Sequence, residues 1–301
     1  MLNLKPIFLI LLIGLMLESA SCTLLDKPEQ IPAWLKIDSF QLVDNPNVDE
    51  GSLSHDITDA WVFIDDEMIG IFELPARIPI LDEGKHTLLI GPGVKVSTIS
   101  TLRDNYAFYE AYESEVNLIP DETINLTPTT RYRDLNGVYS YILVEDFEDN
   151  FLDMEDVSGS DAEIVRTTNP NFVFEGNGSG LLEISDTATA AGIKTSNTYK
   201  LPQQGRAVFL EFDYYTEFPL VVGVHIENTG ARSQTIDYLT LRRDSSGAVN
   251  FKKAYVALQS TLAQATNLES AYIYFLPDFF APGTNNSGIV LIDNVKIMHE
   301  L

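Results

Sequence analysis

Short runs of alternating apolar and polar residues, divided by glycine- and proline-containing turns, recur along most of this chain. In the first half, this two-residue period marks residues 34–40, 60–64, 68–72 and 86–90, with a closing pair at 114–119 and 123–126. The turns stand roughly 8 to 12 residues apart, which is the spacing of strands in a β-sandwich. No convincing amphipathic helix interrupts them, so residues 33–128 are predicted to form a β-sandwich.

The second half shows the same pattern. Further strands are predicted at residues 181–185, 206–215, 220–227, 238–242, 249–256, 271–275 and 288–297. A chain of 301 residues is long enough for two domains with separate cores. We therefore predict an all-β protein in which a connector over residues 129–143 joins the first unit to a second unit over residues 144–301.

The N-terminus has the layout of a secretory signal peptide. Lys5 precedes an apolar run over residues 7–17, and the small residues 19–21 stand directly before Cys22. The run is about half the length that a membrane-spanning helix needs. Small residues followed by a cysteine resemble the lipoprotein box of bacterial lipoproteins, in the relaxed form of Bacteroidota. The resemblance implies that Cys22 is acylated and begins the mature chain.

Cys22 is also the only cysteine in the chain, so no intrachain disulfide can form. An unpaired cysteine in an exported protein calls for an explanation, and acylation supplies one. An ordinary buried or signal-peptide cysteine is the alternative. We accordingly predict a signal peptide over residues 1–21, a tether over residues 22–32 and an outer-membrane location, on either the periplasmic or the cell-surface face.

Residues 62–70 and 81–88 resemble a PEGA-type module. The shared pattern is a strand, an Asp-rich turn, a proline-containing connection and a Glu-Gly-Lys-His turn into another strand. These residues are turn formers, so the resemblance implies a fold and no activity. In this region we predict a hairpin turn at residues 65–67 and the end of a strand at residues 91–93.

Three motifs mark the second unit: Glu-Asp-Phe-Glu at residues 145–148, Gly-Ser-Gly-Leu at residues 178–181 and Ile-Asp-Asn-Val-Lys-Ile at residues 292–297. They resemble galactose-binding-like jelly rolls, a group that includes many carbohydrate-binding modules. The resemblance implies a jelly roll, a fold that serves glycan binding in some proteins and protein contact in others. It also implies a structural calcium ion, which oxygen ligands from the first and last strands suit. The candidate calcium ligands are Glu145, Asp146, Glu148 and Asp293.

Sugar rings stack on exposed aromatic faces, most strongly on tryptophan. Both tryptophans, Trp34 and Trp61, lie in the first unit. In the second unit Tyr214, Tyr215 and Tyr238 are the candidate ligand-binding side chains, although their places in strand patterns favour core packing. Glycan binding therefore ranks below protein contact.

A candidate partner-binding surface lies in residues 98–112, where Arg103, Tyr106, Tyr109 and Tyr112 put aromatic rings beside charges. Aromatic and arginine side chains contribute much of the binding energy in protein interfaces. The alternative is a long loop whose rings fold back onto the sandwich, because aromatic residues dominate cores as well.

The formal net charge of −25 limits the partners of this chain. Phosphates are repelled at long range, which argues against nucleic acid and against anionic lipid surfaces. The four histidines have no metal-ligand spacing and no nucleophile motif beside them. We therefore predict that the chain is not an enzyme, with a glycosidase-like pair of carboxylates as the catalytic alternative.

Together these features predict a non-catalytic outer-membrane lipoprotein that acts as an interaction or scaffold subunit of a cell-envelope complex. A glycan-binding surface lipoprotein is the first alternative, and a glycosidase-like hydrolase is the second. The expected partners are the membrane through the lipid anchor, an envelope protein, or a polysaccharide. Exposed tyrosine rings on one face of the jelly roll would favour glycan binding, whereas an exposed apolar patch elsewhere would favour a protein partner.

Overall fold

The computed structural model describes residues 29–96, 102–203, 205–230, 232–265 and 267–301. Within these ranges the chain is built almost wholly of β-strands, which confirms the prediction of an all-β fold. The predicted signal peptide, Cys22 and most of the predicted tether lie outside the described residues. Across the described ranges, no helix is both long enough and apolar enough to cross a bilayer.

The first unit is a sandwich of two sheets. Its strands are β1 (Ala33–Ile37), β2 (Gln41–Leu42), β3 (Ile57–Ile64), β4 (Glu67–Glu73), β5 (Ala76–Ile80), β6 (Gly84–Lys95), β7 (Arg103–Asn105), β8 (Tyr112–Leu118), β9 (Thr123–Leu126) and β10 (Thr129–Thr130). Sheet A has the order β4-β3-β6, with β7 and β8 both pairing with β6, and sheet B has the order β5-β1-β9. The short strands β2 and β10 pair with each other beside this sandwich. Alternate side chains of both sheets meet in one core, as Leu35, Val62 and Ile90 do.

The hairpin between β3 and β4 forms where the sequence predicts it. Asp65 and Asp66 both adopt the left-handed conformation, with φ of 47° and 65°. Two successive residues of positive φ give the tight turn whose twist matches that of paired strands, and aspartate tolerates this conformation. The Asp65 carboxylate is in turn held by the backbone N–H of Thr87 at 2.8 Å.

Strand β6 is longer than the sequence predicts. Residues 91–93 do not end it, because the strand continues to Lys95 and pairs there with β7. The glycines are needed for packing: a Cβ on Gly93 would lie 2.8 Å from Nε1 of Trp61, and one on Gly91 would lie 2.8 Å from the side chain of Asn105. The predicted strand end is therefore wrong, since these glycines make room for neighbouring side chains.

The second unit is a jelly-roll sandwich of two larger sheets. Its elements are β11 (Tyr139–Glu145), β12 (Met154–Asp156), β13 (Ile164–Thr167), β14 (Ser179–Ile184), β15 (Ile193–Thr195), β16 (Val208–Thr216), β17 (Leu220–Asn228), β18 (Gln234–Leu241), β19 (Lys252–Ala257), helix α1 (Gln259–Leu262), β20 (Leu268–Pro277) and β21 (Gly288–Glu300). Sheet C has the order β13-β14-β21-β16-β19, with β11 also pairing with β21, and sheet D has the order β12-β15-β20-β17-β18. Because β11 pairs with the last strand, part of the predicted connector belongs to the jelly roll.

Strand β16 shows how the two units are joined. Leu210 and Phe212 point into the jelly-roll core. Phe209 points to the opposite side of the strand and belongs to the core of the first unit. All nine residues of β16 are buried, as expected of a strand that is covered on both faces. Tyr255 and Met298 extend this shared core from the neighbouring strands. The first unit therefore covers the part of the outer side of sheet C that β16, β19 and the end of β21 form. Within the described ranges, no residue of the first unit packs on the outer side of sheet D.

Candidate functional site

The outer side of sheet D carries alternate residues of its five strands, which point away from the jelly-roll core. We call this surface the sheet D face. Its principal side chains are Glu155 of β12, Lys194 of β15, His225 and Glu227 of β17, Thr235 and Asp237 of β18, and Tyr272 and Tyr274 of β20. The face thus combines aromatic rings with hydrogen-bonding and charged groups.

A stacked pair of rings lies at the centre of the sheet D face. Tyr272 is directly opposite His225 in the strand pairing, and the two rings are 4.6 Å apart and nearly parallel, at 14°. Lys194 places its Nζ 4.9 Å from the Tyr272 ring centroid and forms an ion pair with Glu155. Tyr272 is therefore held between an imidazole and an ammonium group while part of its surface remains accessible to solvent.

Hydrogen bonds fix the polar groups around this pair. His225 shares a hydrogen bond of 2.7 Å between Nδ1 and the Thr235 hydroxyl, and its Nε2 lies 3.1 Å from Glu227. These contacts, together with the stacking on Tyr272, hold the imidazole in one orientation through residues of β17, β18 and β20. A ligand therefore meets groups whose positions are already set before it binds.

Tyr274 occupies the neighbouring row of the same face. Its ring lies over Gly223, and any side chain at that position would collide with the phenol. The Tyr274 hydroxyl donates to Asp237 at 2.6 Å. Burial, together with this hydrogen bond to Asp237, raises the pKa of Tyr274. The phenol therefore stays neutral near physiological pH. Because Tyr274 is only 3% exposed, it supports the exposed Asp237 and is not itself a surface for a ligand ring.

The tyrosines that the sequence singled out are not brought together. Tyr214 points into the jelly-roll core and borders a cleft of about 290 Å³ between the units. Tyr215 is 3% exposed, with its hydroxyl 3.4 Å from Glu217, and Tyr238 packs against the jelly-roll core. Alternation along β20 does place Tyr272 and Tyr274 on one face, but the sequence contains no sign of which face is free.

The four residues predicted to bind a partner do not form an exposed surface. Tyr106 and Tyr109 are each 1% exposed because they lie in the core shared by the two units. Arg103 forms ion pairs with Asp59 and Glu73. Tyr112 is partly buried and packs against the core of the first unit. The prediction that Tyr106 and Tyr109 bind a partner is therefore wrong. Their rings fold back onto the sandwich, as the alternative prediction has it.

Behind these rings lies a set of buried ionisable side chains, which we call the interface cluster: Tyr106, Tyr132, Glu211, Lys253 and Lys296. Glu211 accepts hydrogen bonds from Tyr106 and from Tyr132, the latter at 2.8 Å, and lies 3.6 Å from Lys253 and 3.8 Å from Lys296. Burial, with a further effect of Lys253, lowers the pKa of Lys296 to about 8. Glu211 is fully buried, so no substrate reaches it, and the cluster joins the two units.

The four candidate calcium ligands are held by different neighbours. Glu145 accepts from the backbone N–H groups of Phe147 at 2.8 Å and Asp153 at 2.6 Å, one with each carboxylate oxygen. Glu148 accepts from Asn177, Asp146 accepts from the backbone N–H of Glu148, and Asp293 accepts from Ser179. In this arrangement the four carboxylates do not surround one common point. Within the described ranges, no three Asp, Glu, His or Cys side chains lie close enough together to hold a metal ion. Calcium binding stays a prediction.

Asp293 leads to a testable pH dependence. Burial, more than its neighbours Asp213 and Glu175, raises the pKa of Asp293 to about 8 from its ordinary value of 3.8. Between these two values the folded chain binds more protons at this group than the unfolded chain, so its contribution to stability falls as the pH rises. We expect the Asp293→Asn variant, which cannot ionise, to gain stability relative to the wild type as the pH rises from about 4 to about 8.

Urea unfolding of both proteins at several pH values across this range measures the effect. Asp293 accepts from the Ser179 hydroxyl with one carboxylate oxygen, at 2.6 Å, and from the backbone N–H of Asn294 with the other, at 2.9 Å. Asparagine keeps one acceptor oxygen, which can preserve the bond from the Asn294 N–H, while its NH₂ group can donate to the Ser179 oxygen. Any constant loss from this exchange is the same at every pH and leaves the pH dependence readable. A difference in the free energy of unfolding that does not change with pH would contradict the raised pKa.

No protein-family profile and no curated protein matches the sequence. Solved structures do resemble it. The xylan-binding domain CBM22-1 of Paenibacillus barcinonensis Xyn10C aligns with 53% of this chain and 94% of its own, at 11% identity and a TM-score of 0.39. A carbohydrate-binding module of the β-sandwich superfamily aligns with 79% of this chain and 83% of its own, at 9% identity and a TM-score of 0.35.

The enzymatically active domain of tailspike protein 4 from bacteriophage CBA120 is also similar. It aligns with 52% of this chain and 20% of its own, at 16% identity and a TM-score of 0.34. At such identities and TM-scores, the function of this chain has to be inferred from its own side chains.

Proposed function

We propose that this chain is a non-catalytic polysaccharide-binding protein and that the sheet D face is its binding surface. One observation carries the proposal: the first unit packs on sheet C, while among the described residues sheet D presents the Tyr272 ring and a fixed set of polar groups to solvent. A polysaccharide matches this array because its apolar C–H groups can pack on the exposed part of the Tyr272 ring, which His225 and Lys194 hold from its two faces. Its hydroxyl groups need both donors and acceptors.

The array is ordered before any ligand arrives. Tyr274 is seated over Gly223 and donates to Asp237, and His225 is held by Thr235 and by stacking on Tyr272. Side chains that are already fixed lose little conformational freedom on binding, which favours affinity from a small number of contacts. Carboxylate oxygens of Glu155 and Glu227 at the margins supply further acceptors.

The ligand that fits best is neutral and extended. A net charge of −25 repels acidic polysaccharides at long range. Five adjacent strands span about 19 Å at the usual strand spacing, so a chain of several sugars can lie across them. The open face therefore suits a segment of polysaccharide more than a single sugar.

The composition of the sheet D face also separates glycan binding from protein contact. Among the described residues, the exposed large apolar side chains include none from the strands of sheet D. The centres of protein interfaces are more apolar than this. For the jelly roll we therefore place the glycan-binding alternative ahead of the scaffold function that the sequence predicts.

The proposal includes the membrane anchor indicated by the sequence. Acylation of Cys22, followed by a proline-containing tether, would hold the jelly roll at the outer membrane. Stable anchoring needs more than one acyl chain, as lipoprotein-type acylation provides. Metabolic labelling with an acyl-chain analogue, compared between the wild type and Cys22→Ser, tests this part separately.

Tyr272→Ala is expected to weaken polysaccharide binding by about 10- to 100-fold, the usual loss when an aromatic contact side chain is truncated. The measurement is affinity electrophoresis of the mature chain in gels that contain neutral polysaccharides of different linkage, with one acidic polysaccharide. We expect the wild type to be retarded by at least one neutral polysaccharide and not by the acidic one.

Trp34→Ala is the matched control. Trp34 is a partly exposed aromatic residue on the outer side of sheet B, where the Arg77 guanidinium lies 3.7 Å from its ring, so it resembles Tyr272 in setting. This variant is expected to bind as the wild type does. Absence of retardation by every polysaccharide, or equal losses in both variants, would contradict the proposal.

A further inference from the structure

The outer surface of sheet A differs in composition from the sheet D face. Trp61 and Phe63 of β3, Met68 and Ile71 of β4, and Leu89 of β6 lie side by side on it, and we call these five residues the apolar patch. None of the five belongs to or packs against either hydrophobic core. Met68 and Ile71 are 46% and 43% exposed. The patch is therefore apolar surface that the fold itself does not use.

Strand pairing makes the patch continuous. Phe63 lies opposite Met68 on one side and Leu89 on the other, and Trp61 lies opposite Ile71 in the adjoining row. Side chains that face each other across paired strands are about 4.5 to 5.5 Å apart at Cβ, which is within contact distance for large residues. The five side chains therefore form one surface across three strands.

The tryptophan in this surface is held close to the backbone of the sheet. Gly93 has no side chain, and the Trp61 ring uses the space, with Nε1 2.8 Å from the position of a Cβ there. This explains why the glycines of β6 continue a strand that the sequence predicted to end. A large aromatic side chain seated against the sheet loses little freedom when a partner covers it.

The borders of the apolar patch carry charge. Beside the Trp61 row, Arg103 lies 3.0 Å from Asp59 and 2.8 Å from Glu73, so these charges offset one another. On the other side, β8 contributes Glu113, directly opposite Leu89, and Glu115. Both glutamates are exposed, and neither forms an ion pair within the described part of the chain. The β8 border is therefore acidic.

From this arrangement we infer that the apolar patch docks a second protein, whose contact surface combines apolar side chains with lysine or arginine residues facing Glu113 and Glu115. Protein interfaces have apolar centres enriched in aromatic residues and methionine, with polar rims, and exposed apolar patches mark such sites. Complementary charge at the rim guides association and selects the partner.

A second copy of this chain is a poor occupant of the same patch. Each copy carries a net charge of −25, so two copies repel each other before their apolar surfaces meet. Sedimentation velocity of the purified mature chain is expected to show a monomer. A dimer that Ile71→Glu dissociates would overturn the inference and assign the patch to self-association.

The main test uses the full-length lipidated chain in its native membrane. A photo-crosslinking amino acid placed at Met68 is expected to form an adduct with one protein, whereas the same group at Phe151, which is 85% exposed on the jelly roll, is not. The crosslinked protein is then identified, purified and titrated against the mature chain. Failure to form an adduct at Met68 would overturn the inference.

Ile71→Glu is expected to weaken binding of that purified protein by about 30-fold or more, the size of effect seen at central interface residues. Val165→Glu is the matched control, because Val165 is also a strand residue and is 42% exposed, but lies on β13 of the jelly roll. Glu113→Lys is expected to weaken binding as well, through the loss of complementary charge. Equal affinities for the wild type and Ile71→Glu would overturn the inference.

This docking site and the sheet D face are on different units and can be tested apart. Retardation of Ile71→Glu by polysaccharide is expected to equal that of the wild type. The inference therefore stands or fails without reference to the proposed polysaccharide binding.

Discussion

Glu211→Ala is expected to lower the free energy of unfolding by about 3–5 kcal/mol, the usual loss when one member of a buried ion pair is removed. Glu211 is fully buried and accepts from Tyr106 and Tyr132, so alanine leaves both phenols without their acceptor. It also leaves Lys296 without the carboxylate that lies 3.8 Å away. Urea unfolding at neutral pH, followed by tryptophan fluorescence, measures the change.

Glu211→Gln provides a graded comparison, because an amide oxygen still accepts one of the tyrosine hydrogen bonds, and a smaller loss is expected. The matched control is Asp38→Ala. Asp38 forms an ion pair of 2.8 Å with Lys36, but its side chain is 63% exposed, so a loss of about 1 kcal/mol or less is expected. Equal stabilities of Glu211→Ala and Asp38→Ala would show that the interface cluster is accessible to water.

Phe209→Ala is expected to cost about 3–5 kcal/mol, the usual loss when a buried phenylalanine is truncated. Phe209 belongs to a jelly-roll strand but packs in the core of the first unit. Its ring is 5.0 Å from Tyr106 and 5.9 Å from Phe108, in edge-to-face contacts. Removing it therefore weakens the junction between the units as well as the core.

Because the two units share this core, the wild type is expected to unfold in a single transition, and Phe209→Ala is expected to broaden or divide it. Calorimetry together with fluorescence unfolding measures both effects. Phe151→Ala, at a position that is 85% exposed, is expected to stay within about 0.5 kcal/mol of the wild type. Two separate transitions in the wild type would contradict the shared core.

Local features of the fold could be read from the sequence where short-range chemistry decides them. The Asp65-Asp66 turn is one case, because positive φ at two successive residues restricts which side chains are tolerated. The strand predicted at residues 123–126 is another, and it forms with the predicted bounds. The turn depends on residues that are adjacent in the chain. The strand is indicated by its local residue pattern, although its pairing partner, β1, is far away in the sequence.

Strand β16 shows where such reasoning stops. Its alternation of apolar residues with Glu211 and Asp213 is typical of a strand with one face in water. In the structure both acids are buried, because the first unit lies over that face and supplies Tyr106 and Tyr132 to Glu211. The same contact turns Tyr106 and Tyr109 from candidate partner-binding residues into core residues.

The candidate site depends on the same long-range packing. The sequence shows Tyr272 and Tyr274 two residues apart in a strand, which places them on one face. The sequence does not show that Tyr272 meets His225, because β17 and β20 are distant in the chain and their register arises only in the folded sheet. Gly223 likewise gains its importance only once Tyr274 lies over it.

By itself, the sequence determined that this chain is acidic and all-β, with turns set by Asp, Gly and Pro residues. Only the tertiary structure decided which faces are covered. A two-residue period shows that a strand has two faces, but whether a face meets water, another sheet or a partner depends on segments far away in the chain. That is why the sheet D face and the apolar patch can be recognised only in the folded structure, where strand register brings their residues together.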